Sequence, residues 1–573
     1  MLRLRIQEFL PVLTWAKSYQ VSYFQADLGA GIVVFFLTLP QAVAYAFLAG
    51  LPAEAGLYAA IVGLITYAVF GSSRTLAVGP TAIIAMMTLE AVSAQAELYT
   101  AQYLVIAVKL TLLTGLVLLA LRALNFGAVI SFLSHGMVTG FVTGAALLIM
   151  ANQLPPLLGV AGPGGPSLDL VIVRLGEASE SFNLTTLLIS VGALGLLFSC
   201  RWGLGPILRK LSVPEKWAEG AVRLAPMYVV VIGTFVVWKF GLAGQGVAVV
   251  GTIPDSLPSL AWVGLSLSET VTLLPSALLL AMLIFMEGTS VGTAVASKQR
   301  QKIDPNQELV GLGMSNVGSA LAGGFPVSGS FARTIVNSSS GAVTPVASLV
   351  TAALVVTVLV TFTQAISYLP KAVLAAIILL SAVQLIDVTG IKRIFSFNTI
   401  DAVTFSLTFI AVLAFGVKIG ITFGIVISFI LLIRASSKPH IAVVGRWQGS
   451  EHFRNVLRHE VSTSPKVLAV RIDESLYFVN TRYVETFILN HVADSEEIEH
   501  VLLIFSAVNF VDSSGLEMLE LLSDSLSEVG VTLHLSEVKG PVMDRLKDTA
   551  FYERMKGKVF FTTDIAMREL AET

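Results

Sequence analysis

The chain carries one cysteine, Cys200, among 573 residues. No internal disulfide can form, and the thiol says nothing about redox compartment. Charge is also scarce. Asp, Glu, Lys and Arg make up 13% of the sequence, against roughly a quarter in soluble domains, which excludes an ordinary water-soluble protein of this length. The net charge of −2 leaves no basic excess of the kind nucleic acid demands. The sequence also lacks a GxxxxGK[ST] nucleotide loop, a metal-spaced His pair among its seven His, and a Ser/His/Asp set. The enzyme classes those features serve find no support. The basic lead-in MLRLRIQEFLPVLTWAKSY has a short apolar run and no small-residue cleavage site. It reads as an amphipathic cytoplasmic segment, residues 1–26, and not as a signal peptide.

Apolar residues are plentiful, at 55% of the chain, with a mean hydropathy of +0.81. Long apolar runs fill the stretch from Asp27 to Arg434, and each run of about 20 residues can cross a bilayer. This predicts a polytopic α-helical membrane part over 27–435 with about 14 spans, several too short or too rich in Gly and Pro to be simple helices. Past SSKPH, at 436–440, short β-like runs such as KVLAVRI and VLLIF alternate with charged stretches, and 21 of the 38 acidic residues follow His440. That texture predicts a separate cytoplasmic α/β domain over 440–573. The basic clusters are Arg3, Arg5 and Lys17; Arg201, Arg209, Lys210, Lys216 and Arg223; Lys298, Arg300 and Lys302; and Lys392 and Arg393. An even span count puts all of them on one side, with GVAGPGGPSLD and VGTIPDSLPS opposite. By the positive-inside rule both termini are expected in the cytoplasm.

Two stretches interrupt the apolar texture in a related way: SSRTLAVGPTAIIAMMT (72–88) and GGFPVSGSFARTIVN (323–337). Each is preceded by a span carrying one polar group amid apolar neighbours, Gln41 in LTLPQAVAYAFLAG and Glu287 in LLAMLIFMEGTSVGTAVAS. The interval from Gln41 to Gly79 nearly equals that from Glu287 to Gly329, the spacing an inverted repeat produces. Unwound backbone inside a bilayer must line a cavity or find partners. A half-helix that starts there offers free N–H groups and the positive end of its dipole. Facing half-helices near Thr81 and Ser330 would therefore hold an anion. Arg333, one turn into the second, is expected to face that cavity or Glu287; the alternative is snorkelling to an interface. Glu287 has two readings, a coupling-ion carboxylate or an interhelical hydrogen-bonding group. Gln41 and Tyr45 share a helix face at i, i+4 and are read as substrate contacts, with interhelical packing as the alternative.

The segments LPQAVAYAFLAGLPAEAGLYAA (39–60), FGSSRTLAVGPTAI (70–83), KIDPNQELVGLGMSNVGSALAGGFPVSGSFARTIVN (302–337) and FVDSSGLEML (510–519) resemble the sulfate permease (SulP) family of anion transporters with a C-terminal STAS domain. The resemblance implies a 7+7 inverted repeat of the uracil-permease type, with core and gate domains, in a homodimer. It places the substrate between the third and tenth spans. Carried over by position, that site is Gln41, Tyr45, Thr81, Ser330 and Arg333, with Gly79, Pro80, Ala82, Ser328, Gly329, Phe331 and Ala332 around them. Glu287 and Ser290 occupy the cation-coupling positions of the eighth span. Members move sulfate, bicarbonate, chloride or dicarboxylates, and one animal member is a motor protein. Bicarbonate-type members centre a Na⁺ site on an Asp; Glu-Gly-Thr-Ser here favours a coupling proton over Na⁺. The C-terminal part is similar to anti-sigma-factor antagonists, in which the Ser after the Asp, here Ser513 after Asp512, is phosphorylated. On the residues alone, an ordinary N-cap is the favoured reading of DSSGL, ahead of a phosphorylated Ser513.

These readings converge on a secondary anion transporter of the cytoplasmic membrane, cation-coupled, with no cofactor beyond the coupling ion. Its expected partners are the anion, the bilayer, a second copy and a cytoplasmic regulator of the C-terminal domain. The competing class is a membrane sensor with the C-terminal domain as output. That class has no need of paired half-helices or of an intramembrane Arg and Glu.

Overall fold

A computed structural model describes residues 9–127, 134–160, 165, 167–212, 214–254, 256–260 and 262–572. Arg3 and Arg5 of the lead-in lie outside them, as do 161–164 of the GVAGPGGPSLD loop and Asp255 of VGTIPDSLPS. The chain divides into two compact units, Met1–Val426 and Ile427–Thr573.

The first unit is helical. In chain order its main elements are α1 Val21–Leu48, α2 Ala53–Phe70, β1 Val78–Gly79, α3 Ala82–Ser93, α4 Ala101–Ala123, α5 His135–Asn152, α6 Leu184–Ser199 and α7 Ala225–Phe240. The sequence continues with α8 Leu267–Lys298, α9 Pro305–Leu321, β2 Ser328–Gly329, α10 Phe331–Ser339, α11 Val346–Thr361, α12 Lys371–Val383 and α13 Thr399–Phe415, and α14 Val417–Ser437 runs across the division into the second unit. Among the described residues, eight helical stretches are long and apolar enough to cross a membrane, and α3, α7, α11 and α13 are apolar but shorter. Exposed Leu188, Phe235 and Ile430 are what a lipid-facing surface presents, where hydrocarbon replaces water as the solvent.

Packing sorts the helices into two groups. In one, α4 packs on α8 and α9, α2 on α9, and α11 on α1 and α2; in the other, α5 packs on α13 and α12, and α6 on α12. The groups meet where α1 lies against α12 and α7, and α3 against α5. Apolar side chains gain little from leaving lipid, so tight backbone approach does the holding. At the α4–α9 crossing a Cβ on Gly115 would stand 2.9 Å from the Gly313 carbonyl oxygen and 2.8 Å from the Val317 nitrogen. Only glycine allows that approach.

The second unit is a mixed sheet with helices. Strands Ile441–Trp447, Val467–Ile472, His500–Ile504, Thr532–Ser536 and Val559–Phe560 are neighbours in that order. The first pair is antiparallel and the rest are parallel. The central strands are buried nearly throughout, as a parallel sheet covered on both faces requires. The α/β reading of KVLAVRI and VLLIF therefore stands.

Candidate functional site

The two interrupted stretches meet. β1 and β2 pair antiparallel, with Val78 opposite Gly329 and Gly79 opposite Ser328, and the Ser330 N–H donates to the Ala77 carbonyl at 3.1 Å. The two unwound segments thus satisfy each other's backbone groups, the condition for irregular backbone at membrane depth. Side chains complete the accounting. Asn316 of α9 donates to the Val327 carbonyl at 3.0 Å and accepts from its N–H at 2.9 Å. Ser319 donates to the Phe325 carbonyl at 2.8 Å. From α10, Thr334 accepts from the Ala77 N–H at 3.0 Å, and Asn337 donates to the Thr75 carbonyl at 2.9 Å. The GGFPVSGS segment is therefore a built element, clamped on both sides.

Directly after each strand a short helix begins. Ser330 is the N-cap of α10, its hydroxyl accepting from the Arg333 N–H at 3.4 Å. Thr81 holds the N-cap position of α3 but makes no side-chain cap; its hydroxyl donates to Glu287 Oε2 at 3.3 Å. Among the described residues, the first-turn amides of α3, starting at Ala82, consequently have no capping side chain at the positive end of the helix.

Arg333 sits between them, fully buried. Its Nη1 donates to Gln41 Oε1 at 3.1 Å and its Nη2 to the Pro80 carbonyl at 2.9 Å, while its Nε has no partner among the described residues. A guanidinium has five N–H donors, so this fork retains donors beyond those fixing it. Arg333 forms no ion pair with Glu287; Gln41 and the Pro80 carbonyl hold its guanidinium instead. Snorkelling is excluded by its burial. A Cβ on Gly79 would lie 3.1 Å from Arg333 Nη2, which explains the residue type at that position.

Of the remaining sequence-predicted positions, Tyr45 is buried one turn beyond Gln41 in α1, and Ser328 donates to the Ile284 carbonyl of α8 at 3.4 Å. Phe331 and Ala332 line a cavity of about 350 Å³ together with Gln41, Arg201, Arg223 and Gln384. Glu287 is half-buried within reach of Thr81, but Ser290 is exposed. The buried hydroxyl of that turn belongs to Thr289, whose Oγ1 has no partner among the described residues. Among the described residues no group of three or more His, Cys, Asp or Glu could hold a metal ion.

Sequence reasoning missed Thr334, Asn337 and Asn316, although polar residues spaced along otherwise apolar helices were the available signal. It also missed a buried carboxylate. Glu308 accepts from the Tyr67 hydroxyl at 2.8 Å, the Ser72 N–H at 3.0 Å and the Ser72 hydroxyl at 2.6 Å. In the second unit Asp512 is the N-cap of helix Ser513–Glu528, accepting from the Gly515 N–H at 2.7 Å and the Phe478 N–H at 3.0 Å. Ser513 is its exposed first residue.

This is a multi-pass membrane fold with a discontinuous-helix site, and comparison with known proteins gives it a family. Residues 24–408 match the sulfate permease family and 458–566 the STAS domain. The chain belongs to the sulfate permease family. It is 31% identical over 568 residues to the probable sulfate transporter 4.2 of Arabidopsis thaliana, covering 97% of this chain and 82% of that one. In structure it is similar to the murine Slc26a9 anion transporter in an inward-facing state, with a TM-score of 0.87 at 22% identity, covering 100% and 95% of the two chains. The transmembrane domain of a cyanobacterial bicarbonate transporter, BicA, covers 72% of this chain and 98% of its own at a TM-score of 0.58 and 23% identity.

Proposed function

We propose that the chain transports a small anion, sulfate first among sulfate, bicarbonate, chloride and dicarboxylates, across the cytoplasmic membrane by alternating access. The observation that carries this reading is the buried Arg333 fork, held by Gln41 and Pro80 beside the uncapped start of α3. A fixed cation with spare donors and free helix-end amides receives a dehydrated anion without moving a buried charge to do so. Sulfate leads because the relatives that align over nearly the whole chain carry that name.

In this reading the transport unit has 14 spans as two inverted halves, with α1 matching α8 and α3 matching α10. Both termini and the STAS domain lie in the cytoplasm, and the working form is a homodimer. Glu287 carries the coupling ion, a proton in preference to Na⁺, and its contact with Thr81 links coupling to the start of α3. Ser513, exposed beside the Asp512 cap, is where a cytoplasmic regulator or kinase would act on the STAS domain.

The test is a calorimetric screen of sulfate, bicarbonate, chloride and dicarboxylates on purified protein, followed by uptake of the bound anion into proteoliposomes with and without a pH gradient. Saturable uptake of one of them supports the reading; no binding and no uptake of any would sink it. Glu287→Gln is expected to keep anion binding and lose the response to the gradient. An unchanged gradient response would leave Glu287 a packing group.

A further inference from the structure

The seam between α1 and α12 holds two cavities, one lined by Gln41 and the other starting at Ala44 on the same helix. The larger, about 350 Å³, is lined by Leu37 and Gln41 of α1, by Ile377 and Ser381 of α12, and by Arg201 and Arg223. The smaller, about 70 Å³, is lined further along the same helices by Ala44, Phe47 and Leu48 of α1 and by Lys371, Leu374 and Ile378 of α12, with Tyr99 beside them. Both helices therefore run continuously from one cavity to the other, past Gln41.

Each cavity has cations. Those of the larger are Arg201 and Arg223; that of the smaller is Lys371. The Lys371 ammonium lies 4.6 Å from the Phe47 ring centroid and 5.6 Å from that of Tyr99. No carboxylate among the described residues is within ion-pair distance of it. Lys371 is also the first residue of α12, where the helix dipole disfavours a cation and favours an anion. Tyr99 reaches the ammonium from a backbone with φ of 63°, the left-handed region, which is strained for a bulky residue. Its N–H is held by the Gly50 carbonyl at 3.2 Å. Strain kept in place at a ligand-sized opening is the pattern expected of a functional clamp. Two aromatic faces attract an ammonium less strongly than a dehydrated anion does, so the clamp can give way to one.

We propose that the Lys371 ammonium is the docking point for the transported anion at the mouth remote from Arg201 and Arg223, and that Phe47 and Tyr99 hold it while that mouth is shut. The route then runs along the α1–α12 seam, with cations at both ends and Arg333 behind its middle. This rests on the transport reading above, and the experiment separates the two.

The test uses the full chain with Cys200→Ser as parent, so that Lys371→Cys supplies the only thiol. Labelled sulfate uptake into proteoliposomes is measured with the anion offered from either side. For Lys371→Cys, KM is expected to rise about tenfold from the Lys371 side, with little change from the other and kcat within about twofold. Aminoethyl methanethiosulfonate, which restores an ammonium, should recover KM; the sulfonatoethyl reagent, which adds an anion, should raise it further. Lys371→Arg should stay near the parent, and Phe47→Leu should lower KM from the same side by releasing the clamp. Equal KM changes from both sides, or equal effects of the two reagents, would overturn the assignment while leaving transport intact. A parent that moves no sulfate, bicarbonate or chloride would overturn the transport reading and this inference with it.

Discussion

Arg333 and Gln41 are 292 positions apart in sequence and share a hydrogen bond of 3.1 Å at the centre of the first unit. The pair joins the helix that follows the second interruption to the helix that precedes the first. It explains why a polar residue sits in the middle of α1, whose other buried neighbours are mostly apolar. Arg333→Ala would leave Gln41 Oε1 and the Pro80 carbonyl unpaired and remove the fixed cation. With charge-assisted hydrogen bonds contributing about 1.5–3 kcal/mol each, anion affinity is expected to fall by roughly a hundredfold. Arg333→Lys keeps the charge but not the planar fork, and a loss of about tenfold is expected. Calorimetry on monodisperse variants decides; full affinity in both would place the anion elsewhere.

Gly79 and Gly329 are the last residues of the two paired strands, yet their substitutions should separate binding from folding. The added Cβ of Gly79→Ala would press on the flexible Arg333 Nη2 at 3.1 Å, displacing it by a few tenths of an ångström. A loss of anion affinity on the order of tenfold is expected, with little change in melting temperature. In Gly329→Ala the Cβ would meet the Gly288 Cα of α8 at 2.9 Å. Backbone cannot swing aside, and overpacking of this kind costs about 1–3 kcal/mol. Thermal unfolding in detergent should drop for Gly329→Ala and stay near the parent for Gly79→Ala; the reverse order would refute the assignment of the two roles.

Glu308 is fully buried, yet the 0% exposure comes with a full set of donors from Tyr67 and Ser72. The arrangement fixes the turn after α2 to the start of α9. In Glu308→Gln one oxygen becomes an NH₂ that faces donors. Destabilisation of about 1–3 kcal/mol is expected, with anion affinity retained. A variant with unchanged melting and lost affinity would instead move Glu308 into the binding site.

The parts of this molecule legible in its sequence share one physical reason. Half-helices inside a bilayer demand small residues, Pro and hydroxyls where helix would otherwise continue, so Thr81, Ser330 and Arg333 stood out against an apolar background. Gln41 was legible for the same reason. The partners were not, because β1 and β2 are two residues long each and their pairing leaves no alternation to read. Nor could periodicity distinguish Ser290, exposed, from Thr289, buried one position earlier, since α8 is apolar nearly all round. Glu308 followed Asp304 and Pro305 in what looked like an ordinary helix start, and only the distant Tyr67 makes it a buried carboxylate. Lys371 drew no notice in the sequence, because only the rings of Phe47 and Tyr99, both distant from it in the chain, set it apart.

The STAS sheet contains a titratable pair whose sign can be worked out. His534 Nδ1 accepts from the Lys558 N–H at 3.1 Å, so the ring proton is on Nε2, which donates to His500 Nδ1 at 3.2 Å. The ring of His534 is 5% exposed, and burial, then the neighbouring His500 and Lys558, pull its pKa down to about 4; burial also lowers that of His500. Both rings are thus held neutral in the fold. An unfolded chain binds the proton near the ordinary value of about 6.5. Below it the unfolded state binds more protons than the folded one, and stability falls as pH drops until the folded pKa is reached. The contribution of His534 is therefore complete well above pH 6.5 and lost progressively toward pH 4, by roughly 3 kcal/mol, and His500 adds a loss in the same direction. Hydrogen-exchange protection of the amides in 500–504 and 532–536 of the full chain should decline across that window. In His534→Phe the decline should shrink to the part His500 contributes. Protection that is flat with pH in the parent, or declines identically in the variant, would mean that His534 is not the group that titrates.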